Sequence, residues 1–284
     1  MGLVSAGGSV GIVISLALGG WVIHHWGWRQ GFLVMGIPGV ALAVLIQLTL
    51  REPPRGRFDA PGQSVAPVSL RDTFAFLRSV PAFLHISLAG SLYSLAGYGA
   101  AIWNPVFLGR VHGLNMAEAG MGLTLRSAVF AIISVAAGGI LGDRLARRDV
   151  RWYQWMPALG GLAHFPFAVA FLLWPDTNGL WFLMPSALFG GLWAAPGHAM
   201  VQSLARPQMR ATASALMLLL FNLIGFGIGP WVVGLLNDLL EPRFGIEAVR
   251  YSLLVIVCAS LWAAAHNVLA ARTLARDLRA KEAL

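Results

Sequence analysis

The stretch Gly139-Ile140-Leu141-Gly142-Asp143-Arg144-Leu145-Ala146-Arg147-Arg148 marks the point where a long apolar segment ends and a cluster of charges begins. Upstream of it, residues 120–141 are apolar or small, and the polar interruptions are Thr124, Arg126, Ser127 and Ser134. A second apolar segment begins at Trp152. The stretch therefore predicts two apolar helices joined by a short, strongly basic hairpin.

The composition indicates an integral, multi-pass membrane protein. Charged residues make up 11% of the chain and hydrophobic residues 57%, and the mean hydropathy is +0.71, whereas about a quarter of a soluble domain is charged. The net charge of +8 is divided among the gaps between apolar runs. It forms no continuous basic face for nucleic acid, so we expect membrane lipids and no nucleic acid as partners.

Catalytic chemistry is not predicted. The single cysteine, Cys258, excludes a disulfide framework and a metal site built from thiols. The sequence also lacks an H-E-x-x-H motif and paired carboxylates within the apolar runs. We therefore expect no enzyme activity, no cofactor and no metal.

Apolar runs long enough to cross the hydrocarbon core, roughly 20 residues each, recur along the chain. They predict an all-α fold with eight transmembrane helices, called spans one to eight here. The spans lie at about 3–24, 31–50, 80–108, 117–141, 152–174, 180–203, 211–238 and 249–271.

Arginine and lysine are distributed unequally between the two sets of connections. The connections after spans two, four and six and the C-terminal tail are basic, while the opposite connections contain Arg29, Arg110, Arg243 and Arg250. The positive-inside tendency places both termini on the cytoplasmic side of the inner (plasma) membrane. It also makes residues 51–79 a cytoplasmic linker, in which residues 70–78 are expected to form an amphipathic helix on the membrane surface.

An internal repeat predicts the architecture. Residues 19–23 of span one parallel residues 229–233 of span seven, and residues 29–34 parallel residues 250–255. Spans one and two then correspond to the last pair of one six-helix unit whose first four helices are lacking. The predicted domains are residues 1–50 (a remnant of the N-terminal bundle), residues 51–79 (the linker) and residues 80–284 (a complete six-helix bundle).

The hairpin pattern G-x-x-x-D-R-x-x-R-R between two spans resembles the signature loop of the major facilitator superfamily of secondary transporters. Ala146 stands where that family more often has glycine. Other short motifs are similar to the spinster-like branch, among them Glu-Pro-Pro-Arg-Gly at residues 52–56, and residues 92–99 and 209–215. Another interpretation of the hairpin is a basic cytoplasmic turn that only sets topology.

The resemblance implies a partial major facilitator fold and secondary active transport by alternating access. It implies a small-molecule or lipid substrate, such as an amphipathic solute, and a proton or another coupling ion as a further partner. The alternative is a truncated, transport-incompetent membrane protein that acts as an assembly or interaction partner, because a transport cavity needs two complete walls.

A gating loop is predicted at the hairpin. The carboxylate of Asp143 is expected to accept hydrogen bonds from the exposed N-terminus of span seven, near Ala211, because a helix dipole favours negative charge there. Breaking this contact would open the cytoplasmic side. The predicted gating residues are Gly139, Asp143, Arg144, Arg147, Arg148 and Arg210.

Polar groups inside apolar spans are expensive and indicate function, so they provide candidates for the substrate cavity. Arg126 lies roughly 13 Å into span four and is expected to face water, an anionic headgroup or a carboxylate. The alternatives are snorkelling to the interface or pairing with Glu118, and, for Tyr93 and Asn222, interhelical hydrogen bonding. The predicted cavity residues are Tyr93, Tyr98, Asn104, Arg126, Trp193 and Asn222.

Overall fold

The computed structural model of the protein describes residues 25–50 and 68–282, with the isolated residues 11, 18 and 22. The described ranges belong to two compact units, residues 25–50 and residues 68–282. Every regular element within them is helical. The α-helices are α1 Trp28–Thr49, α2 Leu70–Arg78, α3 Pro81–His112, α4 Met116–Ala146, α5 Trp152–Leu173, α6 Leu183–Gly190, α7 Ala194–Leu204, α8 Arg210–Leu220, α9 Gly229–Phe244, α10 Ala248–Val257 and α11 Ala259–Glu282.

The first described unit is the single helix α1, which contains Pro38 and leaves most of its side chains exposed. Trp21, on which the internal repeat depends, and all of predicted span one except the isolated residues 11, 18 and 22 lie outside the described residues. The repeat therefore stays a prediction.

Local signals set the helix ends of the second unit. α3 ends at Gly113, whose φ of +69° is a left-handed conformation that glycine adopts without strain. α4 begins with a capping box, in which Asn115 and Glu118 each accept a hydrogen bond from the backbone N–H of the other, at 2.9 and 3.0 Å. The connection between these two long helices is consequently only three residues long.

Helix α3 lies at the centre of the second unit, because it contributes to all three core clusters. At one end, Phe83 packs with the end of α7, the start of α8 and the last turns of α11. At the other end, Phe107 packs with α5, α9 and α10. Between them Tyr93 packs with Ala263 of α11. We call these the first end, the second end and the middle of the unit.

The predicted number of eight spans is not confirmed. Within the described residues, the stretches long and apolar enough to cross a membrane number four, or five if α2 and α3, bent by 92°, count as one. One stretch, Pro207–Ala280, has 74 residues, or roughly 110 Å of helix, several times the thickness of the hydrocarbon core. The chain reverses within it at Gly245, whose φ is +54°, and α9 packs against α10.

Predicted spans six and seven are irregular. Span six consists of the 3₁₀ segment Thr177–Phe182, α6, a turn at residues 191–193 and α7. The turn packs closely against two glycines, since a Cβ on Gly138 would lie 2.7 Å from the carbonyl oxygen of Leu192, and one on Gly160 would lie 3.2 Å from Cβ of Leu192. Span seven changes to a π-helix at Phe221–Ile228, between α8 and α9. We call Phe221–Ile228 the π segment.

Candidate functional site

The hairpin between α4 and α5 lies at the first end of the unit, where Val150 and Tyr153 pack against the core. The backbone N–H of Arg151 donates a hydrogen bond to Oδ1 of Asp149 at 2.9 Å, which orders the turn. Gly139 is half-buried on α4, about one helical turn before Asp143. The exposed residues of the predicted gating loop are Asp143, Arg144, Arg147, Arg148 and Arg210.

Asp143 is bonded to α5 and not to the start of α8. Its Oδ1 accepts a hydrogen bond from the hydroxyl of Tyr153 at 2.8 Å. Among the described residues, no hydrogen bond or ion pair joins Asp143 to Arg210 or to the first turn of α8. The contact expected from the sequence is therefore not formed in this conformation, in which Asp143 accepts the hydrogen bond of the Tyr153 phenol instead.

A carboxylate does lie at a helix N-terminus elsewhere in this unit. The side chain of Asp277, on α11, is only 6% exposed, and its Oδ2 accepts a hydrogen bond from the backbone N–H of Ala82 at 2.9 Å. Ala82 is the second residue of α3, so the carboxylate satisfies one of the free N–H groups there and faces the positive end of the helix dipole. Asp277 thus joins α3 to α11.

An aromatic cluster, formed by Tyr93, Trp193, His198 and Phe221, lies between the first end and the middle of the unit. The rings of Tyr93 and Trp193 stack with centroids 5.5 Å apart, and Phe221 meets Trp193 at 5.3 Å and an interplanar angle of 79°. His198 meets Phe221 edge-on at 5.9 Å. Tyr93 is buried, whereas Trp193 and His198 are half-buried. The cluster therefore extends from buried aromatic rings to rings that are partly accessible.

The hydroxyl of Tyr93 forms the interhelical bonds that were the alternative interpretation of this residue. It donates to the carbonyl oxygen of Pro157 on α5 at 2.8 Å and accepts from Nδ2 of Asn267 on α11 at 3.3 Å. Gly161 provides the space, since a Cβ there would lie 2.4 Å from this hydroxyl. Tyr93 therefore ties three helices together at the base of the aromatic cluster.

Further toward the second end, α3 and the π segment share an exposed face. Tyr98 is 40% exposed and meets the edge of Phe226 with ring centroids 5.4 Å apart. Asn222 is exposed, and its Nδ2 donates to the carbonyl oxygen of Leu218 in its own helix at 2.8 Å. We define the α3–π face as Tyr98, Asn222, Leu223 and Phe226. Asn104 is half-buried further along α3.

Arg126 is half-buried on α4 and lies beside the 3₁₀ segment. Its Cζ lies 4.8 Å from the ring centroid of Trp181, and its Nη1 donates to the carbonyl oxygen of Gly122 at 3.4 Å. The expected alternative of an ion pair with Glu118 is not formed, because Glu118 is engaged in the capping box.

Sequence reasoning missed three residues of this region. Asn267 could have been found, because an amide inside an apolar run is the feature that identified Asn222. Asp277 lies in a charged tail, where nothing in the pattern distinguishes it from a solvated residue. Phe221 lies in a continuous apolar run, so only the three-dimensional packing against Gly90 and Trp193 identifies it.

The chain matches the profile of the Major Facilitator Superfamily over residues 1–230. An MFS-type efflux pump of Mycolicibacterium smegmatis is 34% identical over 246 residues, which cover 86% of this chain and 56% of the pump. Protein spinster homolog 1 of Homo sapiens is 27% identical over 259 residues, which cover 81% of this chain and 47% of that protein. The chain thus spans about half the length of these relatives.

The fold is similar to a solved structure of a bacterial homolog to the human lysosomal transporter spinster, in an inward-facing and unoccupied conformation. The TM-score is 0.71 with 25% sequence identity, over 93% of this chain and 66% of that chain. An inward-facing and occupied conformation gives a TM-score of 0.67 and 26% identity, over 93% of this chain and 65% of that one. Profile, relatives and fold agree: the chain is similar to spinster homologs and belongs to the Major Facilitator Superfamily of transporters.

Proposed function

We propose that this chain forms part of a secondary active transporter that moves lipids or other amphipathic small solutes by alternating access. The proposal depends on the α3–π face together with the aromatic cluster beside it. Ligand sites are lined mainly by apolar and aromatic groups, with a few polar groups that fix orientation. Here the rings of Tyr98, Phe226 and Trp193 provide the apolar surface, and the amide of Asn222 provides the polar group.

The π segment is the element proposed to move. A π-helix is rare, appears mostly as a single turn inside an α-helix, and is frequently found at functional sites. The π segment lies between α8 and α9 and holds Phe221 and Asn222. A change of pitch there would reposition both side chains without breaking a helix elsewhere.

Flux of a fluorescent lysophospholipid into proteoliposomes that contain the full chain tests the proposal, with and without a pH gradient to supply a proton as the coupling ion. Asn222→Ala, at an exposed position, should lower the flux at unchanged thermal stability. Trp193→Leu should also lower the flux, and circular dichroism verifies that this variant is folded. Trp262→Leu is the matched control, because Trp262 is 63% exposed on α11 and lies outside the aromatic cluster. Flux no greater than that of empty liposomes would contradict the proposal.

We further propose that the gating loop acts through the bond between Tyr153 and Asp143. Breaking a charge-assisted hydrogen bond of about 1.5 kcal/mol changes a two-state equilibrium roughly tenfold. Asp143→Asn and Tyr153→Phe should therefore change the maximal flux in the same direction while the solute affinity stays constant. Asp149→Asn, in the same hairpin, is the control. Unchanged flux in both variants would exclude the gate.

A further inference from the structure

Arg126 has no counter-ion within the described part of the chain. It lies ten residues after the start of α4, about 15 Å along the helix, in a stretch apolar enough to cross a membrane. The ion pairs among the described residues are Arg250–Glu247 and Arg276–Asp277, so no carboxylate in the described ranges pairs with Arg126. An uncompensated charge at such a position is costly and needs an anion or water.

The carboxylates nearest in sequence to Arg126 on α4, and to Trp181 before the 3₁₀ segment, already accept hydrogen bonds. Glu118, on α4, accepts the backbone N–H of Asn115 at 3.0 Å. Asp176, which precedes the 3₁₀ segment, accepts the backbone N–H of Asn178 at 2.7 Å. Both carboxylates cap the starts of their own helical segments, so neither is free to neutralise the guanidinium.

The N–H groups of the Arg126 guanidinium are not fully satisfied by acceptors among the described residues. Its Nε is buried with no acceptor among the described residues, and its Nη1 has only the long bond of 3.4 Å to its own helix. The ring of Trp181 lies 4.8 Å from Cζ, and Trp181 is itself 55% exposed. An arginine held in this way by an aromatic ring presents a planar fork of N–H groups, which suits the oxygens of a carboxylate or phosphate.

We propose that Arg126 and Trp181 form a subsite for the carboxylate or phosphate group of an amphipathic molecule. The guanidinium binds the anionic oxygens, and the exposed part of the indole contacts the adjoining apolar chain. The anion comes either from a solute of the proposed transport function or from a membrane lipid headgroup. The first source rests on that proposed function, whereas the second does not.

Binding of decyl phosphate and of neutral decyl glucoside to the full chain in phosphatidylcholine nanodiscs tests the subsite by titration calorimetry, with empty nanodiscs subtracted. Wild type should prefer the phosphate, and Arg126→Gln should reduce that preference about tenfold or more, as expected for lost hydrogen bonds to a charged group. Arg126→Lys should retain part of the preference. Trp181→Leu should weaken binding of the phosphate severalfold, and it provides a second variant if Arg126→Gln does not fold.

Arg29→Gln is the matched control, because Arg29 is exposed and its Cζ lies 4.7 Å from the ring of Trp28. It should keep the full preference for the phosphate. The subsite is excluded if wild type shows no preference, if Arg126→Gln keeps it, or if Arg29→Gln loses it equally.

Two further arms identify the source of the anion and separate this inference from the transport function. If phosphatidylglycerol in the nanodiscs competes with decyl phosphate, the natural occupant is a headgroup; if it does not, the occupant is a solute. Lysophospholipid flux is measured on the same preparations. Selective binding without flux counts against the transport function alone, and flux with unselective binding counts against the subsite alone.

Discussion

Asp277 has the role at α3 that the sequence suggested for Asp143 at span seven. Both are carboxylates near the first end of the unit, and both lie close to arginines. Only Asp277 reaches a helix N-terminus, because α11 packs along α3 and places the carboxylate 2.9 Å from the N–H of Ala82. A helix dipole favours a carboxylate at any helix N-terminus, but nothing in the sequence distinguishes Asp277 from Asp143 as the residue that reaches one.

Asp277→Ala should lower the free energy of unfolding by about 1–2 kcal/mol, because α3 loses its N-terminal cap and a buried N–H loses its acceptor. Thermal unfolding of the purified chain and hydrogen exchange at Ala82 measure the effect. Arg276→Gln is the control, since its side chain is 67% exposed and a surface pair contributes at most about 1 kcal/mol. Equal destabilisation by both variants would show that the cap is unimportant.

Tyr93→Phe should destabilise the second unit by about 1–2 kcal/mol, because it removes the bonds to Pro157 and Asn267 and leaves two buried polar groups with fewer partners. Stacking on Trp193 should survive. The midpoint of thermal unfolding measures the change. Tyr98→Phe, on the same helix at 40% exposure, should stay within about 0.5 kcal/mol of wild type. A stable Tyr93→Phe protein would contradict the assigned bonds.

At the scale of elements, close contact between α3 and the π segment depends on a glycine, Gly225. A Cβ on Gly225 would lie 2.5 Å from Cβ of Ser94 and 2.9 Å from its backbone carbon. Backbone atoms cannot move aside as the end of a flexible side chain can. The two helices therefore approach closely only because position 225 has no side chain.

Gly225→Ala should cost about 1–3 kcal/mol through overpacking, despite the higher helix propensity of alanine. Gly227→Ala is the control in the same π segment, because its nearest neighbour would be the carbonyl oxygen of Asn222 at 3.8 Å. This variant should be neutral or more stable. Circular dichroism during heating compares the two, and equal melting temperatures would show that α3 and the π segment are not packed as described.

Much of this architecture could be predicted from local sequence signals. Spans three, four and five were expected to start near residues 80, 117 and 152, and the helices start at Pro81, Met116 and Trp152. The proline, the capping residue Asn115 and the basic hairpin mark those starts. The fold class and the helical unit around the signature hairpin followed from these signals.

The rest depends on contacts between residues far apart in the chain. Residues 180–203 are apolar or small with few exceptions, so their hydropathy does not predict the turn at residues 191–193. This turn depends on its packing against Gly138 and Gly160. Within the π segment every residue except Asn222 is apolar or glycine. Such a pattern does not predict a change of helical pitch. The partner of Asp143 likewise depended on where Tyr153 lies.

At the scale of the whole molecule, the two ends of the second unit differ in charge. The connections and helix ends at the first end contain Arg78, Arg147, Arg148, Arg151, Arg206 and Arg210, and those at the second end contain Arg110, Arg243 and Arg250. We therefore propose that the first end faces the cytoplasm, as the positive-inside tendency predicts. This orientation agrees with the gating role proposed for the hairpin.

Cysteine labelling in intact cells tests the orientation in a Cys258→Ser background. Arg148→Cys places a thiol in the exposed hairpin at the first end, and Ile246→Cys places one at the second end, where Ile246 is 63% exposed. A membrane-impermeant maleimide should label Ile246→Cys directly and Arg148→Cys only after permeabilisation. The opposite result would invert the topology.

The bond between Ala82 and Asp277 also affects biosynthesis. The two residues are 195 positions apart, and at 5–20 residues per second translation needs roughly 10–40 s to cover that interval. α3 is therefore made long before the carboxylate that caps it, and its free N–H groups must be satisfied by water or headgroups meanwhile. The second unit can be completed only when the last turns of α11 have been made. In a nascent chain arrested before residue 277, the first turn of α3 would lack its cap and would be accessible to proteases and chaperones.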